Sequence, residues 1–154
     1  YSNDRISASA IYQWAPRQIE FHDDSRLAHA NLNNLIQMSI IDELNSKGYS
    51  YEPEASQPEF QIAYVAALKT ALDDQAIEQK YGIRPGLVDG KSDQSKYEKG
   101  TIIIDLIEPV GGRLIWRGAG QAMATLEDIP QDVRKSRVQK FIKDLFSALP
   151  GELQ

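Results

Sequence analysis

The chain has 154 residues, of which 42% are hydrophobic and 25% are charged, so it fits one folded domain, 1–154, rather than a disordered protein. Its net charge of −5 argues against a nucleic-acid-binding protein, which normally carries a basic excess. The absence of cysteine excludes disulfides, zinc–thiolate sites and thiol catalysis.

A strand and a long helix are the first predicted elements. Residues 6–14 predict a strand that ends at Pro16, because proline has no N–H to give to a ladder. Residues 25–47 predict one helix, since the good N-cap residues Asp23, Asp24 and Ser25 lie at its start and Gly48 follows it. Its apolar stripe consists of Leu32, Leu35, Ile36, Ile40, Ile41 and Leu44.

The middle of the chain combines a clear strand with an irregular connection. Apolar residues alternate through 59–68, which predicts a strand. Residues 73–80 predict a short helix inside a connection, 71–98, that is rich in glycine, proline and polar residues. Connections of this length are usually functional or disordered, so we expect 71–98 to be the most mobile part of the chain.

A hairpin and a helix close the chain. Residues 102–107 are β-branched and apolar enough for a central strand, the turn 109–112 breaks it, and 114–117 begin the return strand. Pro130 fits the first turn of the closing helix. The apolar face of this helix consists of Val138, Phe141, Ile142, Leu145 and Leu149.

These elements have the order β-α-β-(long loop)-β-β-α and predict an α+β fold. We expect a single-layer mixed or antiparallel sheet of about four strands with two helices packed on one face. The second face then carries Ile103, Ile107 and either Ile115 or one of its neighbours, which is too much apolar surface for a solvated face. We expect either the 71–98 connection or a second copy of the chain, in a homodimer, to cover it.

Asp105 and Arg117 are the sharpest candidate for a functional pair. They share the second face if the hairpin register has even parity, which would also direct Leu114 and Trp116 toward the helices. A two-residue turn at Gly111-Gly112 would reverse that parity. We favour the even register and a half-exposed cross-strand ion pair, with a recognition or catalytic pair as the alternative.

Short segments in a fixed order along nearly the whole chain resemble the bacterial lipoprotein family of domain of unknown function 4136 (DUF4136). These segments are 11–16, 42–49, 58–64, 100–106 and 114–118, followed by a final helix that ends at Pro150. This chain has Pro58-Glu59 where Pro-Asp is more usual. The resemblance implies a secreted protein held at the membrane through a lipidated cysteine upstream, in the periplasm and at the outer membrane. It implies no catalytic residues.

Three further features are weaker binding candidates. Aromatic residues from the strands and the long connection would line a groove for a glycan or peptide, although strand aromatics more often pack in a core; they are Tyr64, Tyr81, Tyr97 and Trp116. Basic residues form one face of the closing helix, which could meet an anionic glycan or lipid headgroup, although such a face is more often simply solvated; they are Arg134, Lys135, Arg137, Lys140 and Lys143. His22 and His29 do not predict a metal site, because helix capping explains the adjacent acids.

The function expected from these features is that of a non-catalytic binding or assembly module of the cell envelope. We expect no cofactor, no metal, no nucleic acid, and contact with a membrane only through an upstream anchor, since the chain begins at Tyr1 rather than at Met. An envelope protein, an anionic glycan or a lipid headgroup is the expected partner. The alternatives are a carboxylate-dependent hydrolase of an envelope glycan or peptide, using Asp105, and a carrier of a small apolar ligand, which would need an enclosed apolar pocket.

Overall fold

The structure is a computed structural model, and it describes residues 6–7, 9–68, 74–82, 86–87 and 97–149. The strands are β1 (Ile11–Phe21), β2 (Ser50–Tyr51), β3 (Phe60–Leu68), β4 (Gly86–Leu87), β5 (Tyr97–Ile107) and β6 (Leu114–Thr125). The helices are α1 (Leu32–Ser46), α2 (Asp74–Tyr81) and α3 (Gln131–Phe146), and a 3-10 helix spans Ser25–Ala30.

The strands form one mixed sheet in the order β2-β1-β3-β5-β6-β4. β1 is parallel to β2 and β3, the strands β3, β5 and β6 are antiparallel, and β4 pairs in parallel with β6. The predicted α+β class and the four long strands are confirmed. The prediction did not include the two-residue strands β2 and β4 at the sheet edges.

The main core lies between one sheet face and the helices α1 and α3. Every second residue of β3 and β5 points into this core, as their alternation predicted: Phe60, Ile62 and Tyr64 from β3, and Ile102, Ile104 and Leu106 from β5. Tyr12 of β1 joins them. The helices contribute Ile36, Ile40 and Leu44 from α1 and Ile142, Leu145 and Phe146 from α3. Burial of these apolar side chains is the main favourable term that joins the helices to the sheet.

The hairpin has the even register. Asp105 lies opposite Arg117 and Leu106 lies opposite Trp116, but the next pair is Ile107 with Leu114. This shift is a β-bulge, and it places one extra residue, Ile115, on β6. The prediction that Leu114 faces the helices is therefore wrong, since Leu114 packs with Ile107 on the second face. Ile115 packs against the main core, so its neighbour Leu114 supplies the apolar surface expected at this point of the second face.

The first strand continues past the predicted stop. β1 runs through Pro16, and its pairing with β3 jumps from Trp14–Ile62 to Ile19–Tyr64. The intervening residues bulge out of the ladder, so the missing N–H of Pro16 removes no regular ladder bond. The strand therefore ends at Phe21 and not at Ala15-Pro16.

The predicted helix 25–47 is two helices. The 3-10 helix ends at Asn31, which adopts the left-handed conformation with φ of 51°, and α1 begins at Leu32. Asparagine is one of the few residues with a side chain that visits this region readily. The N-cap prediction is confirmed for Asp24, whose carboxylate accepts a hydrogen bond from the Arg26 N–H at 2.9 Å.

The second sheet face is covered near the hairpin. Ile103 and Ile107 are 1% and 3% exposed, which confirms the prediction for these two residues. The C-terminal end of α2 lies on this face, since the carbonyl oxygen of Tyr81 accepts a hydrogen bond from Arg117. Part of the 71–98 connection thus contributes the cover, and the mobility predicted for the connection as a whole falls largely outside the described residues.

Candidate functional site

Asp105 and Arg117 form a two-bond ion pair on the second face. Arg117 Nε donates to Asp105 Oδ1 at 2.6 Å and Nη2 donates to Oδ2 at 2.8 Å, with each side chain about one-fifth exposed. Arg117 Nη1 also donates to the Tyr81 carbonyl at 3.2 Å, and its guanidinium lies 5.6 Å from the centre of the Tyr81 ring. The pair therefore holds the end of α2 against the sheet, which is a structural task.

The structure does not bring the aromatic candidates together. Trp116 points to the helices and stacks on Phe146, with ring centres 5.5 Å apart. Tyr64 is 1% exposed in the main core, where its hydroxyl bonds to Asn33 and Gln37. Tyr97 lies half-buried at the start of β5, and Tyr81 lies on the second face beside Arg117. Of the five predicted site residues, Asp105 and Arg117 are joined by hydrogen bonds.

The basic face of α3 is smaller than predicted. Arg134 is 4% exposed and donates to the carbonyl oxygens of Thr125 and Glu127, at 3.1 Å and 2.8 Å. It belongs to the turn between β6 and α3 and not to the outer face. Lys140 forms an exposed ion pair with Asp144 on its own helix, which reduces the net charge of that surface.

An apolar cavity with a volume of about 530 Å³ lies between the sheet and the beginnings of α1 and α3. We call it the helix–sheet cavity. It occupies the end of the sheet where β1 and β3 finish and β5 starts. Its apolar walls include Phe21, Leu27, Leu32, Ile36, Val138 and Phe141. A volume of about 300–1,000 Å³ and a mostly apolar lining are typical of small-molecule sites.

Small residues on the strands make this hollow. The pairing places Leu68, Gly100 and Ala122 side by side across β3, β5 and β6, and Ala124 follows on β6. All four line the cavity. The side chains of Gly100, Ala122 and Ala124 are too short to fill the space between the sheet and the helices, so a cavity remains above them.

The charged residues that line the helix–sheet cavity come from two sides of its rim. Arg134 and the exposed Arg137 come from α3, while His22, Asp23 and Asp24 follow β1. Hydrogen bonds from Arg26 to the Asp24 carboxylate lower the pKa of this group to about 2, so Asp24 is already compensated. Burial lowers the pKa of Arg134, and repulsion from Arg137 lowers it further.

The described residues contain no group of three His, Asp or Glu side chains placed to hold a metal ion. Nor is any helix in the described ranges both long enough and apolar enough to cross a membrane. His22 pairs with Glu20 at 3.5 Å and His29 with Asp128 at 4.0 Å, so the two histidines have separate partners.

Sequence reasoning missed the helix–sheet cavity, although it named a pocket as the requirement for a carrier. The available signal was the run of small residues at helix-facing positions of strands that are otherwise rich in isoleucine: Gly100, Gly118, Gly120, Ala122 and Ala124. Using that signal requires the register between β3, β5 and β6, because only the register shows which small residues share a row.

The fold is that of known α+β proteins. It is similar to a single-residue variant of PelC from Paraburkholderia phytofirmans, solved as a dodecamer, with a TM-score of 0.55 and 11% identity over 96% of this chain and 92% of that chain. A second PelC dodecamer from the same organism gives 0.51 and 11% identity over 94% and 93%. At this identity the similarity shows the fold alone.

The family model of the domain of unknown function DUF4136 matches residues 2–151, so the chain belongs to the DUF4136 family. Among curated proteins, none matches the sequence.

Proposed function

We propose that this domain is a non-catalytic binding module of a cell-envelope lipoprotein, and that its site is the helix–sheet cavity. The observation that carries the proposal is a cavity of about 530 Å³ with mostly apolar walls and a few polar groups at the rim. The chemistry of such a site suits a small, mainly apolar molecule, because apolar contact supplies affinity and the rim groups fix orientation.

The hydrolase alternative has less support. It relied on Asp105 as an available carboxylate, but both oxygens of Asp105 accept hydrogen bonds from Arg117. The pair also lies on the opposite face of the sheet from the helix–sheet cavity. A hydrolase would need a perturbed carboxylate that converges with other catalytic groups in a cleft.

Localisation belongs to the same proposal. A lipidated cysteine upstream of this domain would hold it in the periplasm, at the outer membrane, with the membrane contacted only through the anchor. Envelope fractionation of cells that express the full-length protein tests this: recovery with the outer membrane supports it, and recovery in the cytoplasm contradicts it.

Assembly is a second candidate function, favoured by the shared fold of PelC, whose structures are dodecamers. The homodimer expected through the second face remains a proposal of the same kind. Analytical ultracentrifugation at micromolar concentration decides between them and a monomer, since each assembly has a distinct sedimentation coefficient.

Binding of a neutral fluorescent probe, N-phenyl-1-naphthylamine, tests the cavity as a site. We expect saturable binding at one site per chain, and we expect Ala122→Leu, which fills the cavity floor, to weaken it at least about tenfold. Ala148→Leu makes the same chemical change at an exposed position and should bind like the wild type. Absence of saturable binding, or equal binding by the Ala122→Leu variant, would contradict the proposal.

A further inference from the structure

We infer that the natural ligand of the helix–sheet cavity is an anionic amphiphile, with an apolar chain in the cavity and a carboxylate or phosphate group held beside Arg134 and Arg137. The inference rests on the proposed function, because it names the ligand class for the same site. Three observations support it: the burial and incomplete charge compensation of Arg134, the position of Arg137, and the charge of the opposite rim.

Arg134 is a buried cation whose charge is only partly compensated. Only 4% of it is exposed, and in the described part of the chain it forms no ion pair, although attraction to Asp128 opposes the lowering of its pKa by burial and by Arg137. Its two terminal nitrogens donate to backbone carbonyls, which are neutral, and its buried Nε has no hydrogen-bond partner among the described residues. An arginine stays protonated, so the wall of the cavity holds an incompletely compensated positive charge.

Arg137 adds a second cation at the same wall. It lies one helical turn after Arg134 on α3, it is exposed, and it also lines the helix–sheet cavity. Like charges three residues apart on a helix destabilise each other, and repulsion from Arg137 contributes to the lowered pKa of Arg134. Within the described residues, Arg137 likewise forms no ion pair. An anion at the cavity mouth would compensate the buried charge of Arg134 and also reduce its repulsion from Arg137.

The opposite rim sets the orientation of the ligand. Asp23 and Asp24 lie there, and the Asp24 carboxylate is already engaged by Arg26. The remaining carboxylate, Asp23, repels a ligand anion from that side, and the two arginines attract it to the α3 side. The floor around Gly100 and Ala122 is apolar, so it suits the chain better than the headgroup.

A set of ligands with one chain and different headgroups tests the inference. Dodecanoate, dodecyl phosphate, dodecanol and dodecyltrimethylammonium are titrated against bound N-phenyl-1-naphthylamine, and dodecanoate and dodecyl phosphate are also titrated directly by calorimetry. We expect at least one anionic member to bind about tenfold or more tightly than dodecanol, because charge-assisted hydrogen bonds are added. The carboxylate and phosphate arms show which of the two headgroups is preferred.

Variants assign that gain to the arginines. Arg137→Gln should remove most of the advantage of the anion over dodecanol, measured as the ratio of the two affinities. Lys135→Gln removes the same charge from α3 at a position that does not line the cavity, so it should behave like the wild type. Arg134→Lys keeps the charge and loses the guanidinium, and thermal unfolding of this variant separates a folding defect from a binding defect.

The outcomes for the inference and for the proposed function are distinguishable. Equal affinity for dodecanoate, dodecyl phosphate and dodecanol, with probe binding intact, would overturn the anionic headgroup and leave the cavity as a site. Tighter binding of the ammonium compound would overturn it in the same way. If the probe fails to bind and calorimetry detects neither anion, both the inference and the proposed function are wrong.

Discussion

The two ends of the space between the sheet and the helices differ in how far side chains fill it. At the packed end, Trp116 stacks on Phe146, and Gly118 leaves just enough room for that ring. At the hollow end, Gly100 and Ala122 face the same helices, and no side chain of the described residues fills the gap. Both ends use small residues on β5 and β6. The comparison shows that a small residue makes a cavity only where no neighbouring large side chain folds over it.

Phe146 should give the largest effect. Its ring is fully buried and stacked on Trp116, so Phe146→Ala leaves an unfilled space in the packed end and should cost about 3–5 kcal/mol in free energy of unfolding. Phe141→Ala, on the same helix, enlarges a hollow that already exists and should cost about half as much. Urea unfolding measures both. Equal losses would mean that the two ends are equally well packed.

Alanine at two glycines sharpens the comparison further. A Cβ on Gly118 would lie 2.6 Å from Leu145 Cδ2 and closer still to the Trp116 ring, so Gly118→Ala should cost about 1–3 kcal/mol. A Cβ on Gly100 would lie 3.4 Å from its nearest neighbour, Leu68 Cδ2, so Gly100→Ala should be close to neutral. Thermal unfolding of the two variants decides. A large loss for Gly100→Ala would contradict the open floor of the cavity.

The ion pair behind the packed end should give an intermediate to small effect. Arg117→Ala removes two bonds to Asp105 and one to the Tyr81 carbonyl, and we expect a loss of about 2 kcal/mol, with about 1 kcal/mol or less for Asp105→Asn. The matched control is Arg113→Ala, because Arg113 pairs with Glu108 in the same hairpin but is about half exposed, and its loss should be below about 1 kcal/mol.

Denaturant unfolding of these three variants tests the structural reading of the pair. A loss above about 3 kcal/mol for Arg117→Ala would show that Asp105 is left as a stranded buried charge, which its one-fifth exposure argues against. Wild-type stability for Arg117→Ala would mean that the pair does not hold α2 in place, and a functional role would then be the better explanation.

The sequence predicted the parts of the fold that depend on one element at a time. Alternation in 59–68 and 102–107 gave the faces of β3 and β5, and the preference for Trp116 beside the helices gave the hairpin parity. The bulge at Ile115 and the break at Asn31 depend on backbone conformation at single residues, which periodicity does not record. A bulge changes the face on which the following residues point and leaves no mark in the sequence pattern. Here it turns Leu114 to the second face and Ile115 to the main core.

The candidate site was less predictable for a related reason. Asp105 and Arg117 could be paired from the hairpin alone, because both residues lie on adjacent antiparallel strands. The helix–sheet cavity needs three strands, two helices and their registers, since Leu68, Gly100 and Arg134 are far apart in sequence. Helical spacing assigns Arg134 to the basic face of α3. Spacing does not show the direction of the side chain, and the guanidinium in fact turns inward to two carbonyls.

The central claim is that the hollow end, and not the packed end, receives a ligand. The most direct measurement is a titration of the isotope-labelled protein with N-phenyl-1-naphthylamine, followed by backbone amide chemical shifts. We predict saturable shifts at Gly100, Ala122 and Ala124, with little change at Ile104 and Gly118 in the packed end. Shifts confined to the packed end or to the second sheet face, or no saturable shift anywhere, would contradict the claim.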